Sequence, residues 1–189
     1  MVSHRHFKLY KPPRYLSQFI YEQKRKKKLL GALYNFPPHT MAIGRLDENS
    51  EGLLLLTTDG QVSYNILSTK VEKEYYVQVD GIISQEAIAT LQKGVEIGFE
   101  GKKYTTLPCL AQILRESPNL PNGWKIRDER HGPTSWASIT IREGKFRQVR
   151  KMTAAVGFPT LRLVRVRIGN EYLHDMSLGE VIEIAHLDV

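Results

Sequence analysis

The most informative part of the sequence is residues 44–60, Gly44-Arg45-Leu46-Asp47-Glu48-Asn49-Ser50-Glu51-Gly52-Leu53-Leu54-Leu55-Leu56-Thr57-Thr58-Asp59-Gly60. Four consecutive leucines followed by Thr-Thr-Asp-Gly predict a fully buried strand that ends in a tight turn. Asp47 is therefore expected on a loop fixed against a buried strand. This is a common way to hold a catalytic side chain in place.

The same stretch resembles the GRLD-x-x-[ST]-x-G-L-L-x-L-T-x-D-G signature of pseudouridine synthases, in the RsuA-type group that acts on ribosomal RNA. In that family the aspartate is the catalytic nucleophile, and Asp47 is the matching residue here. Arg45 matches the arginine that helps to hold the RNA with the target base turned out. A salt bridge from Arg45 to Glu48 or Glu51 is the structural alternative.

A second segment, Lys73-Glu74-Tyr75-Tyr76-Val77-Gln78-Val79, resembles the family's K-x-Y-x-V strand. Tyr75 takes the position of the tyrosine that lies against the target base. An aromatic ring offers a flat surface on which a flipped base can stack. Spacing alone favours a core position for Tyr75, whereas the motif places it in the site.

A third segment, Arg142-Glu143-Gly144-Lys145-Phe146-Arg147-Gln148-Val149-Arg150-Lys151-Met152, resembles the family's E-G-x-x-x-Q-[VIL]-[RK]-[RK]-M motif. Arg150 corresponds to the basic residue that pairs with the catalytic aspartate. Such a pair keeps the carboxylate ionised, and only the anion is a nucleophile. Helical spacing predicts Arg147 and Arg150 on one side of a helix. An ordinary basic amphipathic helix explains that spacing equally well, but not the coincidence of three motifs.

The resemblance implies a reaction in which the uridine N1–C1′ bond breaks and the ribose rejoins C5 of the same base. The nucleotide must first turn out of the RNA. Asp47 then attacks either C1′ or C6, and both remain open. Neither a cofactor nor a metal is implied. The expected catalytic residues are Asp47, Tyr75 and Arg150, and the expected RNA contacts are Arg45, Lys73, Arg147, Lys151, Arg162 and Arg165.

Composition agrees with a nucleic-acid partner. The 189 residues include 27 Lys and Arg against 20 Asp and Glu, a net charge of +7, which favours an anionic partner such as RNA. The densest positive run, residues 24–28, is expected to contact phosphate or to be mobile. The single cysteine excludes an internal disulfide, and the histidines show no zinc-ligand spacing. With no signal-peptide pattern and no membrane-spanning run, we expect a soluble cytoplasmic protein.

Periodicity predicts a mixture of helices and strands. Residues 98–132 are punctuated by glycine and proline, and they predict short strands with at least one long loop. Helices are expected after Gly60, from Ser84 to Lys93 with Gly94 as its stop, and after Gly144 with Gly157 as its cap. The other expectations are a short helix over Leu29–Phe36 and strands over Phe7–Tyr10, Tyr75–Asp80, Ser135–Arg142 and Leu161–Ile168.

These elements predict an α+β fold with a mixed, mostly antiparallel sheet. The resemblance implies that this sheet bends around a central catalytic cleft, within a single catalytic domain of two subdomains spanning residues 1–189. Pro133-Thr134-Ser135-Trp136 and Arg147-Gln148 point to the short members without an N-terminal S4 domain, the RluE branch. The expected function is isomerisation of one uridine in large-subunit ribosomal RNA, by a monomer acting on naked RNA or a precursor particle. The alternatives are an enzyme for tRNA or another RNA, or a catalytically silent RNA-binding ribosome-assembly factor.

Overall fold

The computed structural model describes residues 4–20, 26–123, 126 and 129–189. Two compact units divide the chain: unit 1 is Met1–Val71, Pro121–Gly123 and Arg165–Val189, and unit 2 is Glu72–Leu120 and Trp124–Val164. Within the described ranges no helix is both long and apolar enough to cross a membrane. In chain order the elements are β1 (His6–Lys11), β2 (Met41–Ile43), β3 (Glu51–Thr57), α1 (Gly60–Ser68), β4 (Lys73–Asp80), α2 (Gln85–Lys93), β5 (Glu96–Phe99), β6 (Lys102–Thr105), β7 (Leu110–Leu114), β8 (Thr134–Ile141), α3 (Gln148–Ala155), β9 (Thr160–Ile168), β10 (Glu171–Tyr172) and β11 (Val181–Ile184).

Unit 1 is built around β3, and all seven residues of this strand are buried. Strand β1 pairs antiparallel with β3 on one side and with β11 on the other, and β2 also pairs antiparallel with β3. Leu54 and Leu56 pack with Phe7, Leu9 and Leu30 in one hydrophobic cluster. The strand predicted from the four leucines is confirmed.

The helix predicted over Leu29–Phe36 is wrong. The chain forms a single 3₁₀ turn over Leu30–Ala32 instead. Gly31 lies in its middle, where glycine disfavours helix, and Pro37 disfavours a helical conformation for Phe36. Phe36 lies outside this turn and packs edge-on against Phe7, with ring centroids 5.5 Å apart.

The turn predicted at Asp59-Gly60 is the start of a helix. The Asp59 carboxylate accepts hydrogen bonds from the backbone N–H groups of Gln61 and Val62, at 2.8 and 3.2 Å. These bonds cap α1, and the one from Val62 is the largest cause of the lowered pKa of Asp59.

Unit 2 contains a hairpin-rich sheet in which β8 pairs antiparallel with β4 and β7. Helix α2 begins and ends as predicted: the Ser84 hydroxyl accepts from the Ala87 N–H at 3.1 Å, and Gly94 has φ +98°. The hairpin of β5 and β6 was not predicted from sequence. Its turn is formed by Glu100 and Gly101, both with positive φ, and a Glu-Gly pair is a weaker turn signal than Asn-Gly or Asp-Gly.

The C-terminal cap of α3 is also confirmed. Gly157 has φ +89°, and the Phe158 N–H donates to the Thr153 carbonyl at 2.9 Å. Strand β9 follows, with its first five residues in unit 2 and its last four in unit 1. The protein therefore has the predicted mixed architecture with mostly antiparallel strands. The central cleft stays a prediction.

Candidate active site

Asp47 lies on the loop between β2 and β3 in unit 1 and is partly exposed. We call residues 45–50 the Asp47 loop. The Asp47 carbonyl accepts from the Ser50 N–H at 3.0 Å, which closes a four-residue turn. Aspartate is favoured at the first position of such a turn. The turn leads directly into the buried strand β3, so the aspartate is carried by rigid backbone.

The backbone of the Asp47 loop is held by groups from the segment that follows β1. The Ser17 hydroxyl donates to the Leu46 carbonyl and accepts from the Leu46 N–H, each at 2.9 Å. The Arg14 N–H donates to the Glu48 carbonyl at 2.7 Å. These hydrogen bonds fix the backbone of Leu46 and Glu48, the residues on either side of Asp47.

Lys11, at the end of β1, supports the same loop from the interior. Its side chain is fully buried, and its ammonium donates to the carbonyls of Pro12, Tyr15 and Glu48 at 2.8, 2.8 and 3.3 Å. Burial lowers the pKa of Lys11 to about 7, partly opposed by the charge of Glu51. The contact of Lys11 with the loop could be seen only in the structure.

Arg45 is exposed, as a contact to RNA requires. The alternative salt bridge to Glu48 is not what the structure forms. Lys27 holds that carboxylate instead, with its ammonium 2.8 Å from each oxygen. In the described part of the predicted positive run, Lys28 also contacts the segment that follows β1: its carbonyl accepts from the Leu16 N–H at 2.9 Å, and its ammonium lies 5.5 Å from the Tyr15 ring centroid. Lys24 and Arg25 lie outside the described residues.

The prediction that Arg165 contacts phosphate is wrong. This side chain is only 3% exposed, and its guanidinium Nε donates to the Leu53 carbonyl at 2.8 Å. The alternation of β9 identified two faces but not which of them lies in the interior. Unit 1 therefore brings together Arg45, Asp47 and Arg165, with Arg165 on the inner side.

Unit 2 carries the other six predicted residues, and two of them lie on β4. Tyr75 is 8% exposed and faces the same side of the strand as buried Val77 and Val79. Lys73 stands at the start of the strand, opposite Ile141 of β8. The low exposure of Tyr75 suits both a core residue and the wall of a closed pocket, so its role stays a prediction.

The segment before α3 is organised by Glu143. Its carboxylate accepts from the Tyr104 hydroxyl, from the Leu107 N–H at 2.8 Å and from the Gln148 side-chain amide at 2.6 Å. Gln148 in turn accepts from the Lys145 N–H at 3.0 Å. The hydrogen bond to Glu143 is the largest cause of the raised pKa of Tyr104. Glu143 and Gln148 are the Glu and Gln of the third motif, so the motif itself carried this signal.

Arg147 is not part of the helix. It is the N-cap of α3, in the left-handed conformation with φ +53°, and it is exposed. The prediction that Arg147 and Arg150 share a helix face is therefore wrong, because α3 begins only at Gln148. Arg150 lies within α3 and is partly exposed. Val149 and Met152 are buried.

A surface of lysines and aromatic rings flanks this segment, and sequence reasoning missed it. Phe146 is 67% exposed, and the Lys151 ammonium lies 5.5 Å from its ring centroid. The Lys145 ammonium lies 4.9 Å from Phe99 and 5.1 Å from Tyr104. We call Phe99, Tyr104, Lys145, Phe146 and Lys151 the cation–aromatic surface.

The remaining predicted RNA contacts differ in their surroundings. Lys151 donates to the Gly98 carbonyl at 2.7 Å, which ties α3 to the end of β5. Arg162 is partly buried, with its guanidinium 5.9 Å from the Trp136 ring. Arg162 therefore has a structural contact in addition to its predicted one.

Comparison with known proteins gives matches that include the three motif segments. Positions 5–155 match the family described as RNA pseudouridylate synthase. The chain is 41% identical over 179 residues to ribosomal large subunit pseudouridine synthase E of Vibrio vulnificus strain CMCP6, covering 93% of this chain and 73% of that protein. It is 42% identical over 165 residues to the synthase of the same name from Xanthomonas axonopodis pv. citri strain 306, covering 86% of this chain and 84% of the relative. A crystal structure of a pseudouridylate synthase superposes with a TM-score of 0.77 at 26% identity, over 97% of this chain and 71% of that one.

Proposed function

This chain belongs to the RNA pseudouridylate synthase family, and we propose that it isomerises one specific uridine of large-subunit ribosomal RNA to pseudouridine. The observation that carries the proposal is 41–42% identity to two large-subunit synthases over most of both chains. The three motif segments lie inside the matched region. We further propose that the protein acts in the cytoplasm, as one catalytic domain and as a monomer.

We assign Asp47 as the nucleophile. The support is its place on a partly exposed turn whose neighbours on both sides are held by hydrogen bonds. A nucleophile must approach the reacting carbon along one direction, and a fixed loop removes the entropy cost of finding it. Attack on C1′ would leave the electron pair of the glycosidic bond on the departing base. Attack on C6 would instead shift the electron pair of the C5–C6 double bond within the base. No external electron acceptor is needed.

Tyr75 and Arg150 complete the proposed catalytic set. Tyr75 is held in β4 with Val77 and Val79, so its ring is fixed in direction and suited to stacking against uracil. Arg150 sits one turn into α3, whose start is secured by Glu143 and Gln148. A guanidinium fixed in this way favours the ionised form of a carboxylate that approaches it.

RNA binding is assigned to exposed and partly exposed cations. The net charge of +7 supplies long-range attraction to phosphate. The cation–aromatic surface adds an exposed ring, Phe146, on which an unpaired base can stack. The proposed contacts are Arg45, Lys73, Arg147, Lys151 and Arg162, which are all at least partly exposed.

The experiment is a pseudouridine map of large-subunit ribosomal RNA from cells that lack the protein. Cells rescued with the wild type and with Asp47→Asn are mapped beside them. We expect one site to disappear in the deletion, to return with the wild type and to stay absent with Asp47→Asn. If every ribosomal site survives the deletion, the large-subunit assignment is wrong.

Two further measurements separate the alternatives. The same map on tRNA and mRNA identifies an enzyme for another RNA. A deletion that leaves every pseudouridine in place but slows assembly of the large subunit would instead indicate an RNA-binding assembly factor without catalysis. Purified enzyme incubated with naked RNA and with precursor particles shows which of the two is the substrate.

A further inference from the structure

Strand β9 approaches the start of β3 unusually closely, and Gly52 is the reason. Gly52 has φ +107°, and a Cβ atom there would lie 2.3 Å from the Arg165 carbonyl oxygen and 2.7 Å from the Arg165 nitrogen. Any side chain at position 52 would collide with the backbone of β9, which cannot yield as a flexible side chain would. The glycine thus fixes Arg165 next to the residues that follow the Asp47 loop.

From this position the Arg165 side chain reaches the first residue of the Asp47 loop and the strand that follows the loop. Its Nε donates to the Leu53 carbonyl at 2.8 Å, and its Nη1 donates a longer bond to the Arg45 carbonyl at 3.4 Å. Arg45 precedes Asp47, and Leu53 follows it. Because the guanidinium is planar and rigid, one side chain sets the separation of the two carbonyls.

Stability alone does not account for this arginine. Arg165 is 3% exposed, and its charge helps to lower the pKa of buried Lys11. Its Nη2 is buried and finds no hydrogen-bond partner among the residues that can be described. Removing a cation from water is costly, and apolar residues of similar volume often fill such a site at lower cost. Arg165 and Lys11 are therefore two neighbouring buried cations, and their retention in the interior indicates a role beyond packing.

We propose that Arg165 is a positioning residue for catalysis, which holds the Asp47 loop in the one backbone arrangement that presents the Asp47 carboxylate to the substrate. It acts through the carbonyls of Arg45 and Leu53 and contacts no RNA. The inference rests on the proposed function of Asp47 as the nucleophile. Neither the family motifs quoted above nor the similarity to known synthases assigns this role to Arg165.

The kinetic test compares Arg165→Met and Arg165→Lys with a matched control. Lys8 is also a buried cation of unit 1, but it pairs with Glu171 at 3.0 Å and not with the loop. The control Lys8→Met/Glu171→Gln removes that pair without leaving a lone carboxylate. We expect Arg165→Met to lower kcat about 100-fold, because a small displacement of a catalytic group has effects of this size, with KM for RNA within about twofold. Arg165→Lys should recover part of kcat, and the control should keep wild-type kcat.

Hydrogen exchange of backbone amides tests the loop directly and needs no activity. Within the Asp47 loop, the Leu46 amide donates to the Ser17 hydroxyl and the Ser50 amide donates to the Asp47 carbonyl. We expect both to exchange at least about tenfold faster in Arg165→Met, while the amides of β1 and β11 stay protected. In the control, faster exchange should appear in β1 and not in the loop. Failure of the wild type to modify RNA would overturn the proposed function and still leave this readout interpretable.

For variants that fold, three results would overturn the inference. One is a normal kcat in Arg165→Met, and a second is a kcat loss that the control reproduces at equal loss of thermal stability. The third is unchanged exchange of the Leu46 and Ser50 amides. If Arg165→Met does not fold, Arg165→Lys carries the test because it retains the charge. Failure of both to fold beside a folded control would show Arg165 to be a folding determinant, and the positioning role would be wrong.

Discussion

The Asp47 loop of unit 1 and the segment before α3 in unit 2 are both held by buried or partly buried charged side chains, but these side chains have opposite charges. The first is irregular backbone that carries Asp47, and the second is irregular backbone that leads into the helix carrying Arg150. Around Asp47, buried cations donate to backbone carbonyls, with Lys11 bonded to Glu48 and Arg165 to Leu53. Before α3, the Glu143 carboxylate accepts from the Leu107 N–H, the Tyr104 hydroxyl and the Gln148 amide.

The difference follows from what each segment leaves unpaired. The Asp47 loop turns its carbonyls inward, and inward carbonyls need donors. Before α3 the groups that need partners are donors, namely the Leu107 N–H, the Tyr104 hydroxyl and the Gln148 side-chain amide, so an acceptor is needed there. In each region the supporting charge is opposite to the proposed functional one: cations surround the loop of an aspartate, and an anion supports the helix of an arginine.

The largest expected effect is at Asp47 itself. In purified protein, Asp47→Asn should reduce pseudouridine formation below detection, because an amide cannot act as the nucleophile. The melting temperature should stay within about 2 °C of wild type, since the Asp47 backbone carbonyl closes the turn and the substitution keeps it. Release of tritium from RNA labelled at uridine C5 measures the reaction. A variant with more than a few per cent of wild-type activity would remove Asp47 from the nucleophile's role.

The second largest effect is expected in unit 2, at the glutamate that supports the segment before α3. Glu143→Ala removes the acceptor for three donors, and we expect kcat to fall by about tenfold to 100-fold through displacement of α3. Stability should fall by about 2 kcal/mol, because the donors lose a charged partner. Glu96→Ala, which removes an exposed carboxylate paired with Lys103, is the control. Kinetics and urea unfolding measure the two effects, and equal kcat in both variants would contradict the comparison.

The buried cation of unit 1 should make stability depend on pH. The pKa of Lys11 is about 7 when folded, against an ordinary value of 10.5, so the unfolded chain binds more protons between these values. Stability therefore rises with pH through this window, by about 2 kcal/mol from pH 7 to pH 9. Urea unfolding at pH 7, 8 and 9 measures this rise, and Lys11→Met should remove it while lowering stability throughout.

The measurement should stop at pH 9, because above this pH a second group, Cys109, also changes stability. Burial raises the pKa of Cys109 to about 11 from 9.0, so ionisation of this thiol in the unfolded chain opposes folding above about pH 9. Cys109→Ser should extend the rising limb beyond pH 9 and leave the slope between pH 7 and pH 9 unchanged. A wild-type slope that persists in Lys11→Met would assign the effect to another group.

The smallest expected effect is at the cation–aromatic surface. Phe146→Ala should raise KM for RNA by about fivefold to tenfold with kcat nearly unchanged, since one stacked base contributes about 1–3 kcal/mol when fully engaged. Tyr64→Ala, at an aromatic residue of unit 1 with the same 67% exposure, is the control. If both variants bind RNA equally well in a filter-binding titration, Phe146 is only an exposed apolar residue.

Several elements could be predicted because their signals are local. Four leucines in a row predict β3, and Ser84 and Gly94 mark the ends of α2 through their own cap geometry. The failures came where local signals compete or are absent. Gly31 and Pro37 prevented a helix that the apolar residues around them suggested, and the Glu100-Gly101 turn of the β5–β6 hairpin resembles any other glycine-rich loop.

The sequence predicts which segments carry chemistry, since Asp47, Tyr75 and Arg150 match the family motifs in residue type and spacing. The burial of Arg165, in contrast, follows from the tertiary structure alone. Alternation along β9 separates two faces but not inside from outside, and burial depends on which strand comes alongside. Here that strand is β3, and Gly52 lets it approach so closely that an arginine expected to contact RNA becomes an interior support of the Asp47 loop.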